Sequence, residues 1–401
     1  MSESVPAHVP ADRVRDVDLY ALPGASEDVH LAWKRVQDES PAVYYTPRYG
    51  GYWVVTRAEL LEQLWPDYER LSSADGAIGI PRVAGMPPQL PIESDPPNHR
   101  FFRSPLNIAL SPKAVQQLTE RARALAIELI EGFQMRGECE FVGDFAAHLP
   151  MEIFLSIVDL PGKDREWLIS KTEIMTRGGD VALKQATLQE VFGYLESWID
   201  LRIRQPGADL ISRIVQLKVG DRPITRHEAL SECALVMFGG LDTVAGSMSF
   251  VARFLAMHPA ERRELREHPE LIGPAIEELL RRFAIPTVGR RLTQDVTLDG
   301  VTMKAGDYVQ LTTCFHGLDE RAWPDPLTVD FRRPVAERLL TFGKGVHKCP
   351  GANLARNELR VFLEEWLARI PEFSIRPGDS AVTASGAVAG VLRLPLVWPV
   401  P

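Results

Sequence analysis

The chain is poor in the features that staple, anchor or address a protein. Its 401 residues hold only four cysteines, Cys139, Cys233, Cys314 and Cys349, with no Cys-x-x-Cys pair. That spacing excludes a tight disulfide framework and a zinc site of the usual kind, and it fits a reducing, cytoplasmic setting. No run of 18 apolar residues is present, so no membrane span is expected. The first fifteen residues show neither an apolar targeting core nor a basic character. They are expected to form a flexible tail ahead of one domain over 16–401. Positive charge is in deficit, with 45 Lys and Arg against 54 Asp and Glu and a net charge of −9. This balance disfavours nucleic acid or an anionic membrane as partner for the whole surface. Internal repeats and low-complexity tracts are absent as well.

What is present is a globular composition, 45% hydrophobic and 25% charged, ample for a core. The pattern predicts a short helix over Asp28–Glu39, then strands over Ala42–Tyr45 and Gly51–Thr56 joined by a Pro47–Gly50 turn. Thr56 and Glu59 have the spacing of a capping box opening the next helix. Residues 73–97 form a loop rich in glycine and proline whose apolar members suit a lid. From Asn98 to about Phe283 the period is helical, for example over Ala114–Gln134 and Leu188–Arg204. Short strands return over Thr297–Leu298, Tyr308–Leu311, Phe373–Ile375 and Val391–Trp398. The expected fold class is therefore mainly α with small β-sheets.

Chemistry concentrates in the stretch Phe342-Gly343-Lys344-Gly345-Val346-His347-Lys348-Cys349-Pro350-Gly351. Three glycines around one cysteine permit close backbone approach and positive φ, and a helical pattern starts at once behind them. Backbone N–H groups of such a turn would point at the sulfur and favour the thiolate, as a metal-ligating cysteine needs. The plainer alternative is a buried free cysteine after an ordinary turn.

A second unusual stretch lies in the long helix from Arg226 to about Met257, opened by the Thr225-x-x-Glu228 capping box. Adjacent Gly239 and Gly240 interrupt it and cost about 2 kcal/mol against alanine, so a local reason is expected. That reason is either room for a ligand, with the helix opened at Thr243, or close packing with a back-bonded threonine. His99 and Arg103 share a helical face, which suits a bound carboxylate or an ordinary basic turn. Glu278 and Arg281 are one turn apart.

Phe342, Gly345, His347, Cys349, Gly351, Leu354, Ala355 and Arg356 together resemble the haem-ligand signature of the cytochrome P450 family. Asp95-Pro96-Pro97 with His99 and Arg103, Gly239-Gly240-Leu241-Asp242-Thr243, and Glu278-x-x-Arg281 resemble further motifs of it. From Pro286 onward the likeness narrows to the soluble bacterial group of camphor hydroxylases, through Gly289-Arg290, Gly317–Arg321, Ile370–Ile375 and Leu394–Trp398. The resemblance implies a triangular helical prism with a long central helix crossing a haem b.

It makes Cys349 the iron ligand, with Phe342, Gly351 and Gly239 against the haem and His99, Arg103, Arg290 and His347 on its propionates. Val288 stands where the camphor enzyme carries an acidic residue, a departure that bears on one propionate contact. The resemblance gives Thr243 and Asp242 oxygen activation and proton delivery, with Arg177 as candidate partner of the buried aspartate. Glu278, Arg281 and Arg333 form its structural trio.

The same likeness places Thr176, Leu235, Phe238, Pro286, Thr287, Ala387 and Val388 around a small hydrophobic substrate. The tyrosine that holds camphor's ketone has no counterpart in Gly85–Gln89, and Phe238 replaces a smaller aliphatic residue. A terpenoid or norisoprenoid such as an ionone is expected instead of camphor. Arg100, Lys344, Lys348 and Arg356, with Arg103, would form a basic patch for an acidic [2Fe–2S] ferredoxin, reduced from NADH by a flavin reductase. A monomeric haem-dependent monooxygenase is implied. Two readings stay open beside it: a non-catalytic haem-thiolate sensor or ligand carrier, and a peroxide-driven member without a redox partner.

Overall fold

The computed structural model describes residues 5–74, 77–80, 88–177 and 181–400, without the side chains of Glu173, Thr176, Arg177, Val181 and Leu241. Among the described residues thirteen α-helices carry the architecture. In chain order they are α1 Ala25–Glu39, α2 Ala58–Leu64, α3 His99–Ala109, α4 Pro112–Gln134, α5 His148–Val158, α6 Arg165–Arg177 and α7 Val181–Arg204. There follow α8 Leu210–Val215, α9 Arg226–Met257, α10 Pro259–Glu267, α11 Ile272–Arg282, α12 Thr313–Gly317 and α13 Ala352–Arg369. The sheets are small, so the mainly α class expected from the sequence is the class observed.

Local chemistry sets the helix ends. Helix α4 starts where Ser111 accepts from the Ala114 N–H and Pro112, with no N–H of its own to satisfy, takes the first turn. Helix α9 opens on the complete Thr225–Glu228 capping box. The pattern at Thr56 misleads. Its hydroxyl bonds the carbonyls of Pro41 and Ala42 at 2.9 and 3.3 Å, and helix α2 starts after Arg57. The Ala58 N–H is instead capped at 2.8 Å by Asp319, 261 residues away. Helix α1 begins earlier than expected, with a kink at Asp28.

The five-stranded sheet runs Val43–Thr46, Tyr52–Val55, Tyr308–Thr312, Thr287–Leu292, Leu71–Ser72. Only the Trp53–Val55 pairing with Val309–Leu311 is parallel, and it joins the first and last thirds of the chain. From His8 on, the segment expected as a flexible tail is docked on this sheet. Val9 is buried, His8 Nε2 lies 2.8 Å from Asp307, and Val14 bridges Tyr45.

Among the described residues the apolar core forms three clusters, a small one of Leu90, Phe102 and Val219 and two large ones that share helix α9. Ala229, Leu230, Cys233, Ala234 and Met237 pack with α5, α7 and α8. From Val244 onward the same helix packs with α11, α13 and the sheet. Each large apolar side chain so buried contributes about 1.5–3 kcal/mol. By length and composition alone α9 could cross a membrane, yet here both halves lie inside the fold. Between the two clusters sit the exposed Gly239 and Gly240.

Candidate active site

The loop before α13 is shaped by contacts that tolerate no side chain at two glycines. Gly343 and Gly345 have φ of 68° and 72°. A Cβ on Gly343 would lie 2.5 Å from Trp65 Nε1, and one on Gly345 would lie 2.9 Å from Pro66 Cα. The loop thus rests on the end of α2, and the Cys349 N–H closes it by bonding the Phe342 carbonyl at 2.8 Å. Gly351 departs from expectation. Its φ is −83°, so positive φ is not its reason; it caps α13 and offers its N–H to the Cys349 sulfur.

Cys349 alone of the four cysteines is exposed. Its side chain is accessible although it lies deep within the protein. That depth raises the thiol pKa, against the Gly351 N–H, Arg103 and Arg356, which all favour the thiolate. The thiols of Cys139, Cys233 and Cys314 are pushed far up by burial and are inert. Arg356 lies 4.5 Å over the Phe342 ring and binds Glu277 at 2.5 and 2.9 Å. Of the cations expected on a docking face, this one is therefore already paired. Arg100 and Lys348 are exposed, and Lys344 is half-buried.

Beside the cysteine the structure gathers His99, Arg103, Arg290, His347 and Asp95. Arg103 donates to the Lys348 carbonyl and, at 2.9 Å, to Asn107. The rings of His99 and His347 meet edge to face at 4.7 Å, and His347 Nε2 reaches Asp95 at 3.4 Å. Burial pushes the His99 pKa down to about 4 and that of Arg290 down to about 10. Arg290 is 3% exposed and bonds its own neighbour, the Gly289 carbonyl, at 2.7 Å. His99 Nε2 and His347 Nδ1 are buried without partners among the described residues. Two guanidinium groups and two imidazoles thus face a single carboxylate, with orphaned nitrogens left over. This excess of donors fits the two propionates of a haem whose iron Cys349 would ligate. Val288 is a half-buried strand residue paired with Leu311.

Helix α9 runs unbroken through the glycine pair, so the helix opening at Thr243 that one of the two alternatives carried is not observed. The Thr243 hydroxyl back-bonds the Gly239 carbonyl at 3.1 Å, and Ser247 and Ser249 repeat the pattern at 2.9 and 2.7 Å. The glycines are explained by space. Among the described residues nothing lies within 4 Å of a Cβ on Gly240, and only Leu235 Cδ1, at 3.9 Å, approaches one on Gly239. Close packing is met later, at Gly246, against Ile285 and the Ala389 carbonyl. Asp242 is buried. Its proposed partner Arg177, and Thr176, have side chains outside the described residues.

Four of the expected substrate residues are brought together by backbone pairing. Pro286 bridges Val388, and the Thr287 N–H bonds the Ala387 carbonyl at 2.8 Å. Leu235 and Phe238 are half-buried on α9, next to the glycine pair. In the lid segment, residues 75–76 and 81–87 lie outside the described residues. The part of the segment from Pro88 onward is fastened by Ser231 of α9, which donates to the Pro88 carbonyl and accepts from the Leu90 N–H at 3.3 Å.

The trio is complete, with Glu278 and Arg281 buried and Arg333 half-buried. Arg281 forks onto Glu278 at 2.7 and 2.8 Å, and Arg333 reaches the same carboxylate at 3.2 Å. Sequence reasoning missed the Trp65–Pro66 platform and Glu358, nine residues after the cysteine. Burial pushes the Glu358 carboxyl up to about 8, so it is held largely neutral. No short-range pattern marks either.

Known proteins agree with this geometry. The sequence profile described as Cytochrome P450 matches residues 184–393. A probable cytochrome P450 127A1 from Sinorhizobium fredii (strain NBRC 101917 / NGR234) is 33% identical over 403 residues, covering 98% of this chain and 97% of that protein. The crystal structure of cytochrome P450 CYP101C1 superposes with a TM-score of 0.91 at 41% identity, covering 99% of this chain and all of that one. That of CYP101J2 gives 0.88 at 38% identity, again covering 99% of this chain and 100% of its own. The chain belongs to the cytochrome P450 family of haem-dependent monooxygenases. Within it, the likeness to the two CYP101 structures makes it a bacterial P450 resembling the camphor hydroxylase group.

Proposed function

We propose that this monooxygenase hydroxylates a small hydrophobic substrate, a terpenoid or norisoprenoid rather than camphor, with electrons from a [2Fe–2S] ferredoxin. The observation that carries the haem-thiolate reading is the one accessible cysteine, seated beside orphaned histidine nitrogens and under-paired arginines. Haem b would be held by Cys349, with His99, Arg103, Arg290 and His347 toward its carboxylates and Phe342, Gly351 and Gly239 against the ring. When bound, it supplies dioxygen activation and insertion of one oxygen atom into a C–H bond.

The chain's own groups do the rest. Thr243 offers a hydroxyl one turn from the uncovered glycines, and Asp242 is the carboxyl from which a proton would pass to it. Arg177 is the proposed partner that orients Asp242. Leu235, Phe238, Pro286, Thr287, Ala387, Val388 and Thr176 would enclose the substrate and exclude water. Glu278, Arg281 and Arg333 hold the segment that leads to the cysteine loop. Three other cysteines without disulfide partners suit a cytoplasmic enzyme, here taken as a monomer.

The absorption spectrum of the reduced protein with carbon monoxide tests the reading. A strongly red-shifted Soret band is expected. A histidine-type band, or no haem band in folded protein supplied with haem, overturns it. Electron delivery is tested separately. Lys348 and Arg100 are the exposed cations beside the loop, with Lys344 behind them, and Arg356 contributes less because Glu277 holds it. Lys348→Glu is expected to slow reduction by an NADH, flavin reductase and ferredoxin chain about tenfold at low salt, with substrate affinity unchanged. Equal rates for both proteins would remove the docking face.

A further inference from the structure

The strand Thr287–Leu292 carries two separate walls. Its Gly289 N–H bonds the Ile78 carbonyl at 3.0 Å, and its Thr287 N–H bonds the Ala387 carbonyl at 2.8 Å. The two attachments are two residues apart, about 7 Å along a strand. Gly289 brings the first wall close, since a Cβ there would lie 2.2 Å from the Ala77 carbonyl oxygen. One wall is therefore the segment 77–80. The other is the tip 385–388 between the strands Val382–Ala384 and Gly390–Arg393. Around the frame Ile78, Val288, Ala387 and Val388 all keep accessible surface, so the walls are not packed shut on each other.

Tyr20 bridges the two walls. Its ring lies 3.5 Å from the Cβ position of Gly386, and its hydroxyl donates to the Ile80 carbonyl at 2.6 Å. The two contacts differ in kind. Toward the tip, the segment of Tyr20 is tied repeatedly: the Leu22 N–H reaches the Ser385 hydroxyl at 3.4 Å, and Thr383 bonds both Val29 and Ala25. The ring also meets Tyr49 edge to face at 5.6 Å. Toward 77–80 there is the hydroxyl alone, and among the described residues this is the only hydrogen bond that Ile80 makes. The other fastenings of this region, Glu93 on the Ile78 and Gln89 N–H groups and Ser231 on Pro88 and Leu90, come from buried side chains. Tyr20 is 37% exposed, so water can satisfy both partners when its bond opens. It is the tie that yields first.

We propose that Tyr20 is the latch of a substrate entrance between residues 77–80 and 385–388, opened when its hydroxyl leaves the Ile80 carbonyl and shut when it returns. This rests on the haem-thiolate reading above, which puts both walls beside the substrate, and adds the route by which substrate arrives. Tyr20 touches no reacting atom and is a positioning residue. Entry and exit cross the same barrier, so the latch sets both rates and leaves affinity nearly alone. Desolvation of the hydroxyl and the Asp18 charge raise its pKa to about 12, so it remains a donor at working pH.

The test follows the Soret band of haem-loaded protein after rapid mixing with phenylimidazole, a flat apolar azole that ligates haem iron, or with carbon monoxide, which is small enough to need no opening. Tyr20→Phe keeps the ring and removes only the hydroxyl. It is expected to speed both association and dissociation of the azole at least threefold, with affinity within about twofold of wild type and carbon monoxide association unchanged. Amide hydrogen exchange at Gly289 should quicken in the same variant. Tyr49→Phe removes a hydroxyl that donates to Asp18 at 2.6 Å on the other side of the ring pair, and it should leave the azole rates alone. Unchanged azole rates in Tyr20→Phe, an effect on dissociation only, or an equal effect of Tyr49→Phe overturns the latch while the haem-thiolate reading stands. Wild-type protein that takes up no haem would bring down both.

Discussion

The cysteine loop and the middle of helix α9 are secured in opposite ways. Around Cys349 the chain over-determines position: two positive-φ glycines pressed on Trp65 and Pro66, Arg103 clamped to the Lys348 carbonyl, Arg356 bracketed by Glu277 and Phe342. Behind the loop, Glu278 receives both Arg281 and Arg333. Along α9 the described residues leave Gly239 and Gly240 uncovered. A ligand atom for a metal must be fixed to fractions of an ångström, and redundancy does that. A wall that receives substrate has to be left incomplete, and it gives up stability for the purpose.

The comparison breaks most visibly at the trio. Glu278→Ala strands the fully buried Arg281 charge, and chemical denaturation should show a loss of about 3–5 kcal/mol. A loss below about 1 kcal/mol would mean that the loop side is no more tightly determined than the helix. On α9 the opposite sign is expected. Gly240→Ala places a methyl where nothing described lies within 4 Å, so helix propensity should raise stability by about 1 kcal/mol. Destabilisation there would mean that the space is already committed to packing.

The smallest effect sharpens the picture at the N-terminus of α9. Arg222 and the Thr225 N–H depress the Glu228 carboxyl from 4.5 to about 2. A depressed pKa stabilises the fold at pH above about 4.5, and that contribution is lost as pH falls toward 2. Glu228→Gln should therefore cost a few tenths to about 1 kcal/mol at neutral pH, discounted for solvent screening. The gap to wild type should close on acidification, which pH-dependent unfolding can follow.

Legibility in the sequence follows the range of the interactions. Helix α9 can be bounded to the residue at its start because its capping box is local, three residues from Thr225 to Glu228. Cys349 stands out because its partners in the motif are within a dozen positions. The Thr56 pattern fails because the donor it should cap is satisfied by Asp319, which no window of sequence connects to it. Trp65 is, in the sequence, one more core aromatic, and only the fold brings it under Gly343. The choice between ligand space and helix packing at Gly239 is open in the sequence and is decided by the surroundings of each Cβ.

The resting place of Gly343 on Trp65 also orders events in time. During synthesis at ~5–20 residues per second, the platform at the end of α2 leaves the ribosome on the order of tens of seconds before the loop that will land on it. The first strands face the same wait, since Trp53–Val55 pairs with Val309–Leu311. The cysteine cannot be presented at its final height until the loop of residues 342–351 has followed the platform. Capture of the prosthetic group thereby waits for residues 342–351, and a nascent chain cut short before them exposes a waiting surface instead of a half-formed metal site.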